Sequence, residues 1–303
     1  MIDSKKTSFL FMQGGNNSRI GNTLVWLESA YTWCEANEFK FLFPQKDKVF
    51  NGIFDDNVNI FTESTLAFEK FGSSPISTLL SGLPQKIAHS TKEIESGIFV
   101  CELISNQLLF VDFKGREWNP SEKLVNYFRT FDLVILNEPF PFLTGQREFG
   151  LLKLSDLASS YCEQLFSQFG SDLISVHIRQ GDYKKWNDGK YYRDNNFYNK
   201  LLRTLKQNFP SKSIRFMHNG EFTSENDNVQ FAMKYDQENK LSPEICDFLV
   251  FAASSVIIGP LSTFTGQARL IGSSQFGRNG KIFHIEPNDD VFSMVSKVQE
   301  YLK

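Results

Sequence analysis

The chain has 303 residues, enough for a hydrophobic core without disulfides and for about two domains of ordinary size. Its 32 basic and 35 acidic residues give a net charge of −3, which argues against a strongly basic nucleic-acid-binding protein. The four cysteines are widely spaced, which predicts reduced, buried thiols rather than a metal site. No apolar stretch reaches 18 residues and the N-terminal apolar run is too short for a signal peptide, so we expect a cytoplasmic protein without an integral membrane segment.

The first segment has the pattern of a strand, a glycine-rich loop, a helix and a second strand. Residues Ser8–Met12 are apolar enough for a buried strand, and Gly14 to Ser18 have turn chemistry. Apolar residues at helical spacing predict a helix over Asn22–Asn37, and Phe39–Phe43 is the next strand. This order is typical of a parallel sheet covered by helices.

The rest of the first half is less regular. Three further strands are predicted, at Ile98–Leu103, Leu108–Phe113 and Asp132–Leu136. A proline-rich break follows, in which Phe140 and Phe142 are candidates for stacking on a sugar ring.

The second half alternates helices and strands more clearly. A helix is predicted over residues 154–169, with Ser155 as its cap and Gly170 at its end. Strands are predicted at Leu173–Ile178, Ser213–Met217, Ser255–Ile258 and Lys281–Ile285, with helices between and after them. We therefore expect an α/β protein of two Rossmann-like domains, residues 1–153 and 154–303, with ligands bound beyond the carboxyl ends of the strands.

One candidate site follows the first strand of the second half, in the run His177-Ile178-Arg179-Gln180-Gly181-Asp182-Tyr183. Strand alternation places His177 and Arg179 on one face, and from Arg179 to Arg193 the local charge is +3. The planar guanidinium of Arg179 suits phosphate oxygens. The alternative is a structural ion pair between Arg179 and Asp182 beside solvated lysines.

A second candidate site is the run Gly259-Pro260-Leu261-Ser262-Thr263-Phe264-Thr265, which follows a strand and begins a helix. Free N–H groups at a helix start favour anions, and Ser262 and Thr263 add hydroxyl donors. An ordinary N-cap is the alternative for this run alone. Together with Arg179, the run predicts a pyrophosphate site.

These residues resemble the signatures of GDP-fucose-dependent fucosyltransferases, most closely the α-1,2 type of glycosyltransferase family 11. His177 to Tyr183 is similar to that family's HxRxGDY motif. Asp247 precedes Ser262-Thr263-Phe264-Thr265 by the family's fifteen residues, and Ser18 to Leu24 resembles its GRLGNQ element.

The resemblance implies a GT-B glycosyltransferase that inverts configuration and uses no metal or other cofactor. It implies that the C-terminal domain binds GDP-fucose and that Arg179 stabilises the departing GDP. The residues that the resemblance assigns to donor binding are His177, Arg179, Asp247, Ser262, Thr263 and Phe264. His218 departs from the family pattern, but it ends a strand beside the presumed cleft and is a further candidate for contact with the base or ribose. An acceptor-side loop would comprise Asn17, Arg19, Gly21 and Asn22.

The group that takes the acceptor's proton stays open between Asp182, Asp188 and Glu28, and Asp182 fits equally well a role in orienting Arg179. The expected partners are a nucleotide-sugar donor and a glycan acceptor, without nucleic acid, and the oligomeric state is left open. Two alternatives to fucose transfer are transfer from another nucleotide sugar and binding of a nucleotide or glycan without catalysis.

Overall fold

The computed structural model describes part of the chain, and every structural statement below concerns that part. The described residues are 8–12, 20–44, 53–54, 60–61, 92–104, 108–113, 120–137, 153–219, 222–224, 230–231 and 241–303. Asn17 and Arg19 of the predicted acceptor-side loop lie outside these residues, as do Phe140 and Phe142, the candidates for stacking on a sugar ring.

The chain forms two compact units. The first comprises Met1–Lys48 and Asp56–Leu152, and the second comprises Val49–Asp55 and Lys153–Lys303. The short segment of the second unit is held by main-chain pairing, since the Ser155 N–H donates to the Ile53 carbonyl at 2.9 Å and Phe54 bridges to Leu154. Nothing in the sequence pattern of residues 49–55 had indicated that they pack with the second half.

The first unit is built on a seven-stranded sheet in the order β3-β2-β1-β7-β6-β5-β4. Its strands are β1 Ser8–Met12, β2 Lys40–Pro44, β3 Ile60–Phe61, β4 Lys92–Glu95, β5 Ile98–Ile104, β6 Leu108–Phe113 and β7 Leu133–Asn137. Its described helices are α1 Ile20–Ala36 and α2 Glu122–Phe128. The parallel pairing predicted from the first strand–helix–strand segment is confirmed, since β1 is parallel to β2, whereas β5 is antiparallel to both β4 and β6. Only three residues link β5 to β6, too few for the crossover that a parallel pair needs.

The second unit has a five-stranded, wholly parallel sheet in the order β10-β9-β8-β11-β12. These strands are β8 Leu173–Arg179, β9 Ser213–Asn219, β10 Gln230–Phe231, β11 Val256–Gly259 and β12 Lys281–His284. The helices are α3 Asp156–Phe169, α4 Asn195–Asn208, α5 Pro243–Ala253, α6 Thr263–Phe276 and α7 Val291–Leu302.

The strand order of the second unit determines where a ligand can bind. From β8 the chain runs outward through β9 to β10, and it then returns to the other side of β8 as β11. The order therefore reverses between β8 and β11, and a crevice opens beyond the carboxyl ends of two such strands. Those two ends are Arg179, which lies within the first sequence motif, and Gly259, which begins the second.

The predicted helix ends in this unit are confirmed. The Ser155 hydroxyl accepts from the Ala158 N–H, and the helix stops at Gly170, whose φ of 54° suits glycine. The same capping by a short polar side chain begins α4 at Asp194, α5 at Ser242 and α7 at Asp290.

Phenylalanine, with 31 residues in the chain, contributes to the core. Phe128, Phe216, Phe248 and Phe251 are among the largest fully buried side chains. Phe166 and Phe169 on α3 are only half-buried, and guanidinium groups cover them. Arg278 lies 4.4 Å from the Phe166 ring centroid and Arg215 lies 5.0 Å from that of Phe169.

The predicted chemistry of the cysteines agrees with the structure. All four are free thiols, and Cys34, Cys101 and Cys162 are buried. Burial raises the pKa of the Cys34 thiol well above its ordinary value, with a smaller contribution from nearby Glu35. This thiol is therefore protonated and unreactive at neutral pH.

Candidate functional site

Arg179 lies at the carboxyl end of the central strand β8, where its guanidinium is held from two sides. Its Nε donates to Asp182 Oδ1 at 3.2 Å and its Nη2 donates to Asp182 Oδ2 at 2.7 Å. Its Nη1 donates to the Ser262 hydroxyl at 3.2 Å. The structure therefore contains the ion pair that was the alternative interpretation of this motif, but it also joins the two motifs across 83 residues of sequence.

Ser262 is the N-cap of helix α6. Its hydroxyl accepts from the Phe264 N–H at 3.2 Å, and the Thr265 hydroxyl donates to the Ser262 carbonyl at 3.1 Å. The N-cap that was the alternative interpretation of this run is thus also present. Because Arg179 donates to the same hydroxyl, its positive charge lies beside the N-terminus of a 14-residue helix, which is the positive end of the helix dipole.

Tyr183 connects the two motifs on a further side. Its ring is buried, and the Arg179 guanidinium carbon lies 4.6 Å from the ring centroid. Its hydroxyl donates to the Leu261 carbonyl in the loop before α6. Burial raises the pKa of the Tyr183 phenol, while the charge of Arg179 opposes that rise. The sequence motif contained this tyrosine, but sequence analysis assigned it no role.

His177 and Phe264 form an aromatic wall behind Arg179. The buried imidazole lies 5.5 Å from Phe251 and 5.7 Å from Phe264, measured between ring centroids. Phe264 in turn meets Phe248 and Phe251 edge-on at 5.4 and 5.7 Å. Gly259 packs directly on this wall, since a Cβ there would lie 2.8 Å from the His177 Cβ.

Asp247 lies on helix α5, on the side that faces strand β8. On that side, Ser254 contacts Ser175 and Phe251 contacts His177. Asp247 lies about one helical turn before Phe251, nearer to the end of β8 that carries Arg179. Burial raises the pKa of the Asp247 carboxyl from 3.8 to about 7, with a smaller contribution from Glu244. A carboxyl with such a pKa is a candidate for a functional role.

His218 and Thr263 complete the donor-side residues that the sequence indicated. His218 pairs with Ile178 in the β8–β9 register, which places it on the sheet face opposite His177 and Arg179. There it packs beside Phe222 at 6.0 Å. Thr263 is exposed at the first position of α6.

The basic segment after Arg179 is only partly available to a ligand. Arg193 Nη2 donates to the carbonyls of Glu286 and Pro287, both at 2.6 Å, so this side chain ties the loop to the segment after β12. Lys184, Lys185 and Lys190 are exposed. The structure thus gives Arg193 a role in holding the loop, while the expected placement of the lysines beside a diphosphate stays a prediction.

The remaining candidates belong to other elements. Gly21 and Asn22 belong to helix α1 of the first unit, in which Glu28 is buried. Asp188 lies in the exposed loop of the second unit, with a φ of 56°. Of the three proton acceptors considered, Asp182 contacts Arg179 directly.

The described part of the chain contains neither a cluster of metal ligands nor a helix that could span a membrane. No group of three or more His, Cys, Asp or Glu side chains in this part of the chain could hold a metal ion. None of the described helices is long and apolar enough to cross a membrane.

Comparison with known proteins supports the fold. No family model and no curated protein matches the sequence. Among solved structures, POFUT1 without ligand has a TM-score of 0.52 at 10% identity, covering 93% of this chain and 99% of that chain. POFUT1 in complex with GDP-fucose has a TM-score of 0.52 at 9% identity, covering 93% and 98%. A mutant of Arabidopsis thaliana FUT1 in complex with GDP scores 0.49 at 9% identity, covering 88% and 69%. The chain therefore has an α/β fold that resembles that of the POFUT1 structures.

Proposed function

We propose that this protein is a GT-B glycosyltransferase that transfers fucose from GDP-fucose to a hydroxyl group of a glycan, with inversion and without a metal ion. One observation carries the proposal: the Arg179 guanidinium is hydrogen-bonded to Ser262, the N-cap of α6, at the crevice between β8 and β11. The two POFUT1 structures support it through their fold, and one of them contains GDP-fucose.

The site offers the charge that a diphosphate needs. Arg179 donates through Nη1 to a neutral hydroxyl, a weaker acceptor than a phosphate oxygen. The first turn of α6 adds backbone N–H groups and the helix dipole, and the Thr263 hydroxyl is exposed beside them. A guanidinium and a helix N-terminus can stabilise the charge that develops on a leaving diphosphate, a task that a metal ion performs in other enzymes.

The proposed transfer is a direct displacement. The oxygen of the acceptor hydroxyl forms a bond to the anomeric carbon of fucose, and the bond from that carbon to the β-phosphate oxygen breaks. The electron pair of the broken bond stays on GDP, where Arg179 stabilises it. The proton of the hydroxyl passes to a carboxylate, and Asp182 is the candidate nearest to Arg179.

Asp247, His177 and Phe264 are proposed to bind the donor beside its phosphates. The Watson–Crick edge of guanine presents two parallel N–H donors, which an ionised carboxylate can accept together. Asp247 is a largely buried carboxyl with a pKa of about 7, so guanine binding would favour its ionised form. His177 and Phe264 supply an aromatic wall on the same side of the sheet.

The acceptor side of the proposal rests on sequence. The α-1,2 linkage and the role of Asn17, Arg19, Gly21 and Asn22 follow from the motif resemblance alone. His218 remains a predicted contact of the base or ribose, and its position on the opposite sheet face requires the donor to reach around the end of β9.

A nucleotide panel tests the proposal. We expect GDP to raise the melting temperature of the full chain by several degrees, and UDP, ADP and CMP to raise it less, because Asp247 selects the guanine edge. A response to another nucleotide in place of GDP would point to a different nucleotide sugar. GDP binding without GDP release from GDP-fucose, across a panel of glycan acceptors, would indicate a binding protein.

A further inference from the structure

The loop between Arg179 and helix α4 exposes an aromatic ring beside the proposed transfer site. Trp186 is 42% exposed, and it is one of four large apolar side chains that are exposed among the described residues. A second of these four, Leu261, immediately precedes Ser262. Tyr183 lies between them, since its ring is 4.8 Å from that of Trp186 and its hydroxyl donates to the Leu261 carbonyl.

The loop is held in place. The buried Gln180 side chain donates through Nε2 to the Arg193 carbonyl at 3.3 Å and to Asn195 Oδ1 at 2.7 Å, which ties the two ends of the loop together. Tyr191 packs 5.4 Å from Trp186 on the far side of the loop. The indole is thus fixed by packing and still leaves a large part of its surface to solvent, as a preorganised contact surface does.

The same loop carries a net positive charge. Lys184, Lys185 and Lys190 are exposed, and none of them forms an ion pair with any residue that the structure describes. The loop has two acidic residues, of which Asp182 is paired with Arg179 and Asp188 is exposed. Three exposed lysines therefore share one loop with the exposed indole, on a chain whose net charge is −3.

We infer that Trp186 and these lysines bind the acceptor and that the acceptor is an anionic saccharide. This inference rests on the proposed function. The apolar face of a pyranose ring stacks on an indole, and lysines are strongly hydrated point charges suited to a carboxylate or phosphate group on the sugar. The indole lies one aromatic ring away from the Arg179 guanidinium, so a sugar stacked on it would neighbour the sugar that is transferred.

Isothermal titration of the full chain tests this surface with three probes: trigalacturonate, the neutral galactose trimer and a phosphorylated disaccharide. We expect one or both anionic probes to bind at least about tenfold more tightly than the neutral trimer, with the preference falling at high salt. The comparison of the carboxylate probe with the phosphate probe identifies which anion the acceptor carries. Equal binding of all three probes, or none by any, would overturn the inference.

Two matched sets of variants assign the binding to this loop. Trp186→Leu should weaken the preferred probe by about tenfold, whereas Trp186→Tyr, which keeps an aromatic ring, should restore most of the affinity. Phe292→Leu is the control, because Phe292 is also an exposed aromatic ring. The Lys200 Nζ lies 4.6 Å from the centroid of that ring. Changing Lys184, Lys185 and Lys190 together to Gln should remove the preference for anionic probes. Changing Lys200, Lys206 and Lys297 together to Gln should leave that preference intact.

The outcomes separate this inference from the proposed function. If GDP fails to bind the wild type but trigalacturonate binding depends on Trp186, the saccharide site stands and the proposed transfer fails. If GDP binds but Trp186→Leu leaves saccharide binding unchanged, the inference fails and the proposed transfer stands. Binding of the wild type to phosphatidylglycerol vesicles, lost in Trp186→Leu and accompanied by no saccharide binding, would show that the loop contacts a membrane surface and would overturn the inference.

Discussion

Arg179 combines two interactions that sequence analysis treated as alternatives. Its ion pair with Asp182 fixes two of its guanidinium nitrogens, while the third points at the N-cap of α6. The ion pair therefore orients the phosphate-binding group and does not compete with it. Sequence motifs named both residues, but only the structure shows that Tyr183 supports the guanidinium from beneath.

Asp182→Asn tests whether Asp182 orients Arg179. The amide keeps one acceptor and loses the charge, so we expect GDP affinity to fall by about tenfold because Arg179 is less well held. Lys212–Asp172 is a matched ion pair of the same length with an exposed carboxylate just before the start of β8, at the other end of the strand from Arg179, and Asp172→Asn should leave GDP affinity unchanged. If Asp182→Asn keeps full GDP affinity and alters only kcat and its pH profile, Asp182 is the proton acceptor and the orienting role is wrong.

Asp247 makes stability depend on pH. Its pKa of about 7 in the folded protein exceeds the ordinary 3.8, so between these values the folded state holds a proton that the unfolded state releases. The free energy of unfolding should therefore fall as pH rises toward 7, by at most about 1.4 kcal/mol per pH unit from this group.

Asp247→Asn should remove this contribution, so the variant gains stability relative to the wild type at pH 8 and not at pH 4. Urea unfolding at the two pH values measures the difference. The same variant should bind GDP more weakly at pH 8, because the amide cannot accept both N–H groups of guanine. A variant with unchanged pH dependence and unchanged GDP affinity would show that Asp247 contributes to neither property.

At the scale of elements, local signals predicted the second unit well. Capping residues such as Ser155 and Asp290 fixed helix starts, and apolar runs located the strands. The first unit was less predictable. Strand β3 has only two residues, and all residues of β4 except Ile94 are charged, so neither segment has the apolar pattern of a strand. Pairing between distant segments also escaped prediction, such as that of Phe54 with Leu154.

Two glycines in α6 test how closely the helices of the second unit pack. A Cβ at Gly272 would lie 2.2 Å from the Ala252 carbonyl oxygen, whereas a Cβ at Gly266 would meet nothing within 4 Å. Gly272→Ala should therefore destabilise the protein by about 1–3 kcal/mol through overpacking of α5 against α6. Gly266→Ala in the same helix should stabilise it by up to about 1 kcal/mol through helix propensity. Urea unfolding of both variants measures these effects, and equal effects would contradict the close packing.

At the scale of the whole molecule, composition limited the class of protein, and the structure showed where the candidate site residues lie. A net charge of −3 excluded a strongly basic surface overall, yet the described loop after Arg179 carries three exposed lysines. The assignment of a donor role to one compact unit and an acceptor role to the other remains a prediction, and the inferred contact of Trp186 with the acceptor would add the second unit to the acceptor side. The donor part of it depends on the strand reversal at β8 and β11, which no local pattern in the sequence encodes.

GDP release from GDP-fucose, measured in EDTA for the wild type and for Arg179→Ala, tests the central claim most directly. We predict that the wild type releases GDP in EDTA, faster when a glycan acceptor is added, and that Arg179→Ala is slower by at least about a hundredfold. Arg203→Ala, which changes an exposed arginine on α4, should behave as the wild type. Wild-type rates that vanish in EDTA and return with Mn²⁺, or a fully active Arg179→Ala variant, would contradict the account.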